Sequence, residues 1–545
     1  MKLEGIATLC LAGFALAASA QTHIEGEEYY KAGQYDNAQD LLLRSLKNPQ
    51  SDKSVSDYYL GCIAIVAEKP ADAKKYFTEG TQANAENPYN YVGLGQLELA
   101  AGNTKAAQQL FKQAESYSKK DASLAIAIAR AYYDVDPVKY EKEILKFSNN
   151  ARKYSKDTNP NIYLFEGDQA KDRKDFGKAG SMYEMATSYD ASFTPAYVKY
   201  AQLFKDVNPD HTINLLEGLI QTNPSSALGL HEIAERYYEQ GKYADAVKAY
   251  GKYINNPNHF KKDESRYAFL LFYDKQYKNA YDYASKLLAE DPQNFTAQRY
   301  QFMNAAQLPE MKDQLLPLAE KLYATHMADP AKNKFAPVDY NLVASELLAA
   351  KRVDDAIEVL KEAVKEMPEN ADMSKQLAFA YLDANNLSPT ADAYNDFIIK
   401  SEQPGYNDFI QQATFDYYAG IENQEKDPAK AASYFDNAKK YALKAAEILP
   451  DNYKPVMIQG DLLKQMASKD QASSAAQPLY EKAVVLLEKS ADPSKYARDA
   501  KTIYNYLGNF YLDKKDVAKA KEYFNKYLQY DPNNADYRKF VEGLK

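Results

Sequence analysis

Along most of the chain, apolar residues recur three and four positions apart, the spacing that keeps one face of a helix dry, in segments of roughly a dozen residues. Short polar turns such as Gly33-Gln-Tyr-Asp36 and Gly241-Lys-Tyr-Ala-Asp245 join these segments in twos, so the predicted unit is helix, turn, helix. Small residues recur in step with that unit. Gly61, Gly95 and Ala129 are spaced by 34, as are Gly167 and Ala201 after a longer spacer. A second series trails the first by twelve, with Ala73 after Gly61, Ala107 after Gly95, Ala179 after Gly167, Ala246 after Ala234, Ala280 after Ala268, Ala356 after Ala344 and Ala520 after Gly508. Four positions further come Phe77, Phe111, Tyr183, Tyr250, Ala284, Leu360 and Phe524. Asn-Pro or Asp-Pro pairs at 87–88, 223–224, 291–292 and 531–532 punctuate the units, because proline stops a helix from running on. A self-similar period of this length predicts a repeat array rather than a few separate globular domains.

The best-formed unit reads Tyr504, Leu507, Gly508, Tyr511, Ala520, Phe524, Tyr527, Pro532. Two others, Tyr340, Val343, Ala344, Leu347, Ala356, Leu360, Ala363, Pro368 and Ala234, Tyr237, Gly241, Tyr243, Ala246, Tyr250, Tyr253, follow the same order. This pattern resembles the tetratricopeptide repeat family, with Tyr in the place usually held by Trp. The resemblance implies an all-α, superhelical solenoid of about 13 to 14 helix-turn-helix units over residues 22–534, with 535–545 starting a solvating cap. The period stretches between Phe302 and Ala344, where Ala328-Asp-Pro-Ala-Lys-Asn-Lys-Phe-Ala-Pro337 is the expected joint between an N-terminal array, 21–327, and a C-terminal array, 338–534. It also stretches between Ala413 and Gly460 and between Gly460 and Gly508, so the last units are expected to carry longer helices or loops.

Lys2 followed by an apolar run from Ile6 to Ala18 and by Ala18-Ser19-Ala20 reads as a cleavable export signal ending before Gln21. The run is shorter than the roughly 20 residues a membrane-crossing helix needs. Cys10 lies inside the run and follows Leu9, which argues against a lipoprotein. The expected mature protein is exported and periplasmic, and Cys62 is its one cysteine, which leaves no intramolecular disulfide.

Composition narrows the chemistry. The chain of 545 residues carries 67 Lys plus Arg against 76 Asp plus Glu, a net charge of -9, which argues against nucleic acid as a partner. Its 48 Tyr, 22 Phe and no Trp make the aromatic content strongly lopsided. The five histidines, His23, His211, His231, His259 and His326, show no helical zinc spacing, and no phosphate loop, dinucleotide fingerprint or nucleophile elbow is present. The segment Asp206 to Glu217 spaces oxygen side chains as a calcium loop does, but His211 stands where that loop needs Gly, and a turn capping the next helix explains it better. No catalytic, cofactor or metal residue is therefore expected, and the protein reads as a non-enzyme.

The resemblance implies that the first helix of each unit lines a concave groove that takes partner peptides or proteins. Mapped onto this chain, the inward positions are Tyr58, Ile65, Tyr89, Val92, Ile126 and Tyr133, then Tyr238, Phe269, Phe272 and Tyr273, then Phe379, Tyr417 and Tyr418. Aromatics at these spacings also fill contacts between units, so each residue has a packing role and a binding role to be told apart. The Lys and Asn set with which cytosolic co-chaperones of the family clamp a carboxylate is missing at the matching positions. The expected function is a protein-protein interaction scaffold or adaptor in the bacterial cell envelope, serving outer-membrane assembly or transport machinery. The alternative is a glycan- or nutrient-binding helical-repeat protein of outer-membrane uptake, although such proteins usually carry a lipid anchor and Trp platforms.

Overall fold

The computed structural model describes residues 22–466, 472–489 and 492–545, so the export signal lies outside the described residues. These residues form fourteen antiparallel α-helix pairs, from Thr22–Lys31 with Tyr35–Leu46 to Ala497–Asp513 with Val517–Tyr530, followed by a terminal helix Ala535–Gly543. No strand occurs among them.

The two phase-locked series explain the pairing. A Cβ placed on Gly61, Gly95, Gly167 or Gly508 would overlap the ring of Phe77, Phe111, Tyr183 or Phe524, respectively. Each ring comes from the second helix of the pair and is at most 2% exposed. Glycine in one helix is thus the socket for an aromatic in the other, which lets the backbones approach closely. Where the partner is smaller the socket is alanine, as with Ala268 and Ala284 or Ala344 and Leu360. Side-chain caps set many helix starts, including Asp52 to the Val55 amide, Asp121 to Leu124, Ser226 to Gly229 and Asn370 to Met373. In many pairs the turn uses one left-handed residue, supplied by Gly33, Gly102 and Gly241 but also by Lys174, Lys351 and Lys515, which is why glycine there is not invariant.

The described residues divide into two compact units between Leu308 and Pro309, inside the ninth pair. The connection at 328–337, expected as the joint, lies within the second unit and is held in place. His326 is fully buried, its Nδ1 is 2.9 Å from the Asn333 carbonyl and its Nε2 is 2.9 Å from the Tyr340 hydroxyl. Phe335 stacks on its ring with centroids 4.2 Å apart, and the Asn333 amide donates to the Thr325 carbonyl. Sequence composition alone hid this, because the segment's polar residues are mostly spent on local backbone. Limited proteolysis should therefore leave 328–337 uncut while the surrounding helices survive, and His326→Ala should make it cleavable. Early cleavage there in the unsubstituted protein would refute the packing.

The extra length late in the chain goes into long helices, Tyr406–Asn423, Pro428–Ile448 and Ala472–Glu488. Residues 467–471, in the stretched interval between Gly460 and Gly508, lie outside the described residues. In the calcium-like segment, the helix Pro209–Thr222 starts at Pro209, so most of the spaced oxygen side chains are already helical. Asn208 makes no side-chain cap there, and Thr212 instead donates to the Asn208 carbonyl at 2.9 Å.

Candidate binding cavity

Within the first unit the solenoid curves until its first pair meets the sixth and seventh pairs and the connection that follows them. Tyr29, Leu41 and Leu42 share one core with Val198, Leu228 and Phe260, all buried. Polar contacts run along the same seam. The Leu228 amide donates to Glu25 at 2.8 Å, Thr22 to Asn258 at 3.1 Å, Arg44 to the His259 carbonyl at 3.3 Å and Lys262 to Asn37 at 2.8 Å.

The inner side of this turn holds a partly open cavity of about 370 Å³ lined mainly by the first helices of pairs one to six. Its apolar wall is Tyr58, Tyr59, Tyr89, Ile126 and Leu164, with Tyr30 and Tyr35 from the first pair completing the aromatic surface. Tyr58 packs on Tyr89 at 5.4 Å and on Tyr59 at 4.9 Å, so the rings brace one another while keeping a face on the cavity.

Opposite them stands a charged cluster. Asp168 accepts from Arg130 at 2.7 Å, from Lys199 at 2.6 Å and from the Tyr183 hydroxyl at 3.1 Å. Burial alone would raise the Asp168 carboxyl, but Lys199 and Arg130 outweigh it and hold it below the usual carboxylate range. Burial lowers Lys199 against the pull of Asp168. Glu27 and Lys31 form a second pair at 2.6 Å, and there too the lysine overrides burial and lowers the carboxyl. Asp134, beside Arg130, is pushed by burial up to about 6. The lining thus brings three cations, Lys31, Arg130 and Lys199, against Glu27 and Asp168, with Asp134 balancing them once it ionises.

Of the aromatics expected inside the groove, Tyr58 and Tyr89 line the cavity, with Ile126. Val92 is buried in the core. Tyr133 does not line it; it packs edge-on against Phe165 at 5.6 Å and donates to Asp172 at 3.0 Å. Tyr238, Phe269, Phe272 and Tyr273 come together as one patch elsewhere in the first unit. Phe269 meets Tyr273 at 4.5 Å and Tyr238 at 5.4 Å, while the Arg266 guanidinium lies 4.1 Å over Tyr238, fixed by two bonds to Glu235. Tyr273 is the exposed member, at 44%. In the second unit Phe379 packs on Tyr394 at 6.0 Å, whereas Tyr417 sits on Phe435 at 6.4 Å with exposed Tyr418 beside it. The charged cluster was missed from sequence. Its signal was the position after each small crossing residue, where Arg130 follows Ala129 and Asp168 follows Gly167.

Among the described residues no group of three or more His, Cys, Asp or Glu side chains is placed to hold a metal ion, and no helix is long and apolar enough to cross a membrane.

Residues 58–123, 347–389 and 502–534 match the family described as Tetratricopeptide repeat. The chain belongs to the tetratricopeptide repeat family. Two of the three matched stretches contain such helix sockets, Gly61 with Phe77 and Gly95 with Phe111 in 58–123, and Gly508 with Phe524 in 502–534. No curated protein matches the chain. Among solved structures, this tetratricopeptide repeat protein is similar to the C-terminal part of a TPR repeat-containing protein from Cytophaga hutchinsonii, at 18% identity over 52% of this chain and 99% of that one, with a TM-score of 0.38. It is also similar to yeast Tom70, at 13% identity over 96% of this chain and 99% of that one, TM-score 0.28. A thermophilic TPR protein of Thermus thermophilus aligns at 17% identity over 38% of this chain and 98% of its own, TM-score 0.26.

Proposed function

We propose that this chain is a non-enzymatic scaffold that binds a protein partner on the inner faces of its first helices, with the cavity of the first unit as the principal contact. The observation that carries this reading is the tyrosine wall. Tyr58, Tyr59 and Tyr89 are braced against one another yet line a partly open space of about 370 Å³, within the range that receives a side chain or short segment of a partner. Amides from Asn87 and Asn161 and the charged cluster supply directional contacts around that wall.

Paired alanine substitutions test it. Tyr58→Ala with Tyr89→Ala should weaken capture of the partner by about 1 to 3 kcal/mol per anchor residue, as hot-spot aromatics do. Phe272→Ala with Tyr273→Ala, in the separate patch, serves as the comparison. Melting curves accompany each variant. Loss of capture only in the second pair would move the site to that patch, and binding of oligosaccharide in place of protein, measured by calorimetry, would favour the glycan reading.

The cell envelope is the proposed place of work, supported by the Lys2 to Ala20 export pattern. Mass spectrometry of the mature protein should find Gln21 at its N-terminus; a retained leader or a lipid on Cys10 would overturn that assignment.

A further inference from the structure

A solenoid's contacts are normally between neighbours. The seam between the first pair and pairs six and seven with the connection after them breaks that rule, since it joins Glu25 to Leu228 and Arg44 to His259 across about two hundred residues of sequence. It also closes the cavity, because Glu27, Tyr30 and Lys31 of the first helix form part of its wall. We propose that the hairpin 22–46 is a latch, docked on residues 193–263, whose release opens the cavity and whose hold weakens as pH rises. Docking and release stand on the seam alone; that release controls partner uptake rests on the cavity being the binding site proposed above.

The seam has an unusual composition for a permanent interface. Around its apolar centre, where Tyr29 meets Phe260 edge-on at 5.5 Å, it buries one carboxyl, Glu25, and half-buries a second, Glu28, one helical turn on. Glu25 is 8% exposed and receives the Leu228 amide, next to Ser226 at the start of the helix Ala227–Glu239. Glu28 meets the Ser226 hydroxyl at 3.4 Å. The helix N-terminus favours an anion at Glu25, but it serves one carboxyl, not two.

The charges that face this pair are few. On the same helix, Lys31 lowers Glu28 but is already paired with Glu27, and His23 acts on Glu27. From the helix Thr194–Phe204 comes the Thr194 hydroxyl, and from the start of Ala227–Glu239 the Ser226 hydroxyl and two backbone amides. From 253–263, Asp263 accepts from Tyr253 at 2.6 Å and lies 3.8 Å from His231, whose burial lowers it towards the neutral form, and His259 bonds Glu264 at 3.0 Å. Arg44 is engaged with Asp40 and lies over the Phe260 ring. No cation is left to neutralise both carboxylates within this set. Accordingly, burial raises Glu25 to about 7, and burial together with the Glu25 charge raises Glu28 to about 8.

The sign follows. Both groups have folded-state values above the ordinary carboxyl value of 4.5, so their protonated forms favour the docked state; the hold is complete only below that ordinary value and is lost progressively as pH rises from there through about 7 to 8. Release leaves the neighbour contacts of pairs two to six in place, so the opening is local.

Hydrogen exchange on the whole chain, corrected for intrinsic rates, tests this without any partner. Between pH 6 and pH 9, protection in peptides covering 22–46 and 223–231 should fall by about tenfold or more, while peptides within 88–189 keep theirs, since one unit of pKa shift corresponds to a factor of ten. The Leu228 amide is the sharpest reporter, because a residue at a helix start has no partner within its own helix. The double variant Glu25→Gln, Glu28→Gln should flatten the pH response, and Arg44→Ala should loosen the seam even at pH 6. Circular dichroism checks folding, and Glu28→Gln alone replaces the double variant if that fails to fold. Protection of 22–46 that ignores pH, loss shared equally with 88–189, or an unchanged response in the Gln variants would each overturn the latch. A failed tyrosine test together with a working seam would overturn only the cavity's role.

Discussion

Replacing Phe77 with alanine is expected to destabilise the first unit by about 3 to 5 kcal/mol, the usual cost of emptying a fully buried aromatic site. The Phe77 ring has no solvent exposure, and it fills the socket left by two glycines at once, Gly61 in its own pair and Gly93 in the next. Neither glycine has a side chain that could move into the space, so the cavity stays open and the loss falls toward the upper end. The reverse change is informative. Gly61→Ala places a Cβ into the ring, and because Phe77 is walled in, the overlap cannot be relieved by swinging it; about 1 to 3 kcal/mol of overpacking strain follows. The two changes should not add. Gly61→Ala with Phe77→Leu reproduces the combination the chain itself uses at Ala344 and Leu360, and should recover part of the loss. Urea denaturation of the original protein, Gly61→Ala, Phe77→Leu and the double variant closes the cycle. Additivity within about 0.5 kcal/mol would show that socket and ring are energetically independent and would refute their complementarity as the basis of the repeat.

That same complementarity explains why so much of the fold was legible. A glycine or alanine and, sixteen residues later, a ring or smaller side chain report one local contact, and the contact recurs because each pair solves the same packing problem. The helix pairs, their number and the terminal helix at 535 follow from it. The site was legible only where it repeats. Tyr58 and Tyr89 occupy inward positions of successive pairs and do line the cavity, whereas Tyr133 is taken up by Phe165 and Asp172. The seam was not legible, because it depends on curvature summed over six pairs, and no local spacing links Glu25 with Leu228. Nor did spacing reveal that His326 draws Asn333, Phe335 and Tyr340 around itself, which turned an expected joint into packed structure.

The cavity's charged cluster gives the other large effect. Asp168→Asn should destabilise the protein by about 3 to 5 kcal/mol at pH 7, because it removes the one carboxylate that both Arg130 and Lys199 contact while leaving their charges in place. Partial exposure of Arg130, whose side chain is 31% accessible, places the value toward the lower end; Lys199, at 14%, has less recourse to water. Arg130 keeps support from Asp134 and from the Phe165 ring 4.9 Å away, so most of the penalty should trace to Lys199. Lys199→Met on the Asp168→Asn background should therefore restore stability. The pH dependence has the opposite sign to that of the seam. Asp168 is held below its ordinary value, so its contribution is present above about pH 4 and is lost as pH falls through its folded-state value. The gap between the original protein and Asp168→Asn should be widest near neutrality and close in acid. Denaturation curves at pH 7 and pH 3.5 decide this: equal stabilities at pH 7, or a gap that widens in acid, would mean that Asp168 is not the ionised hub of the cavity wall.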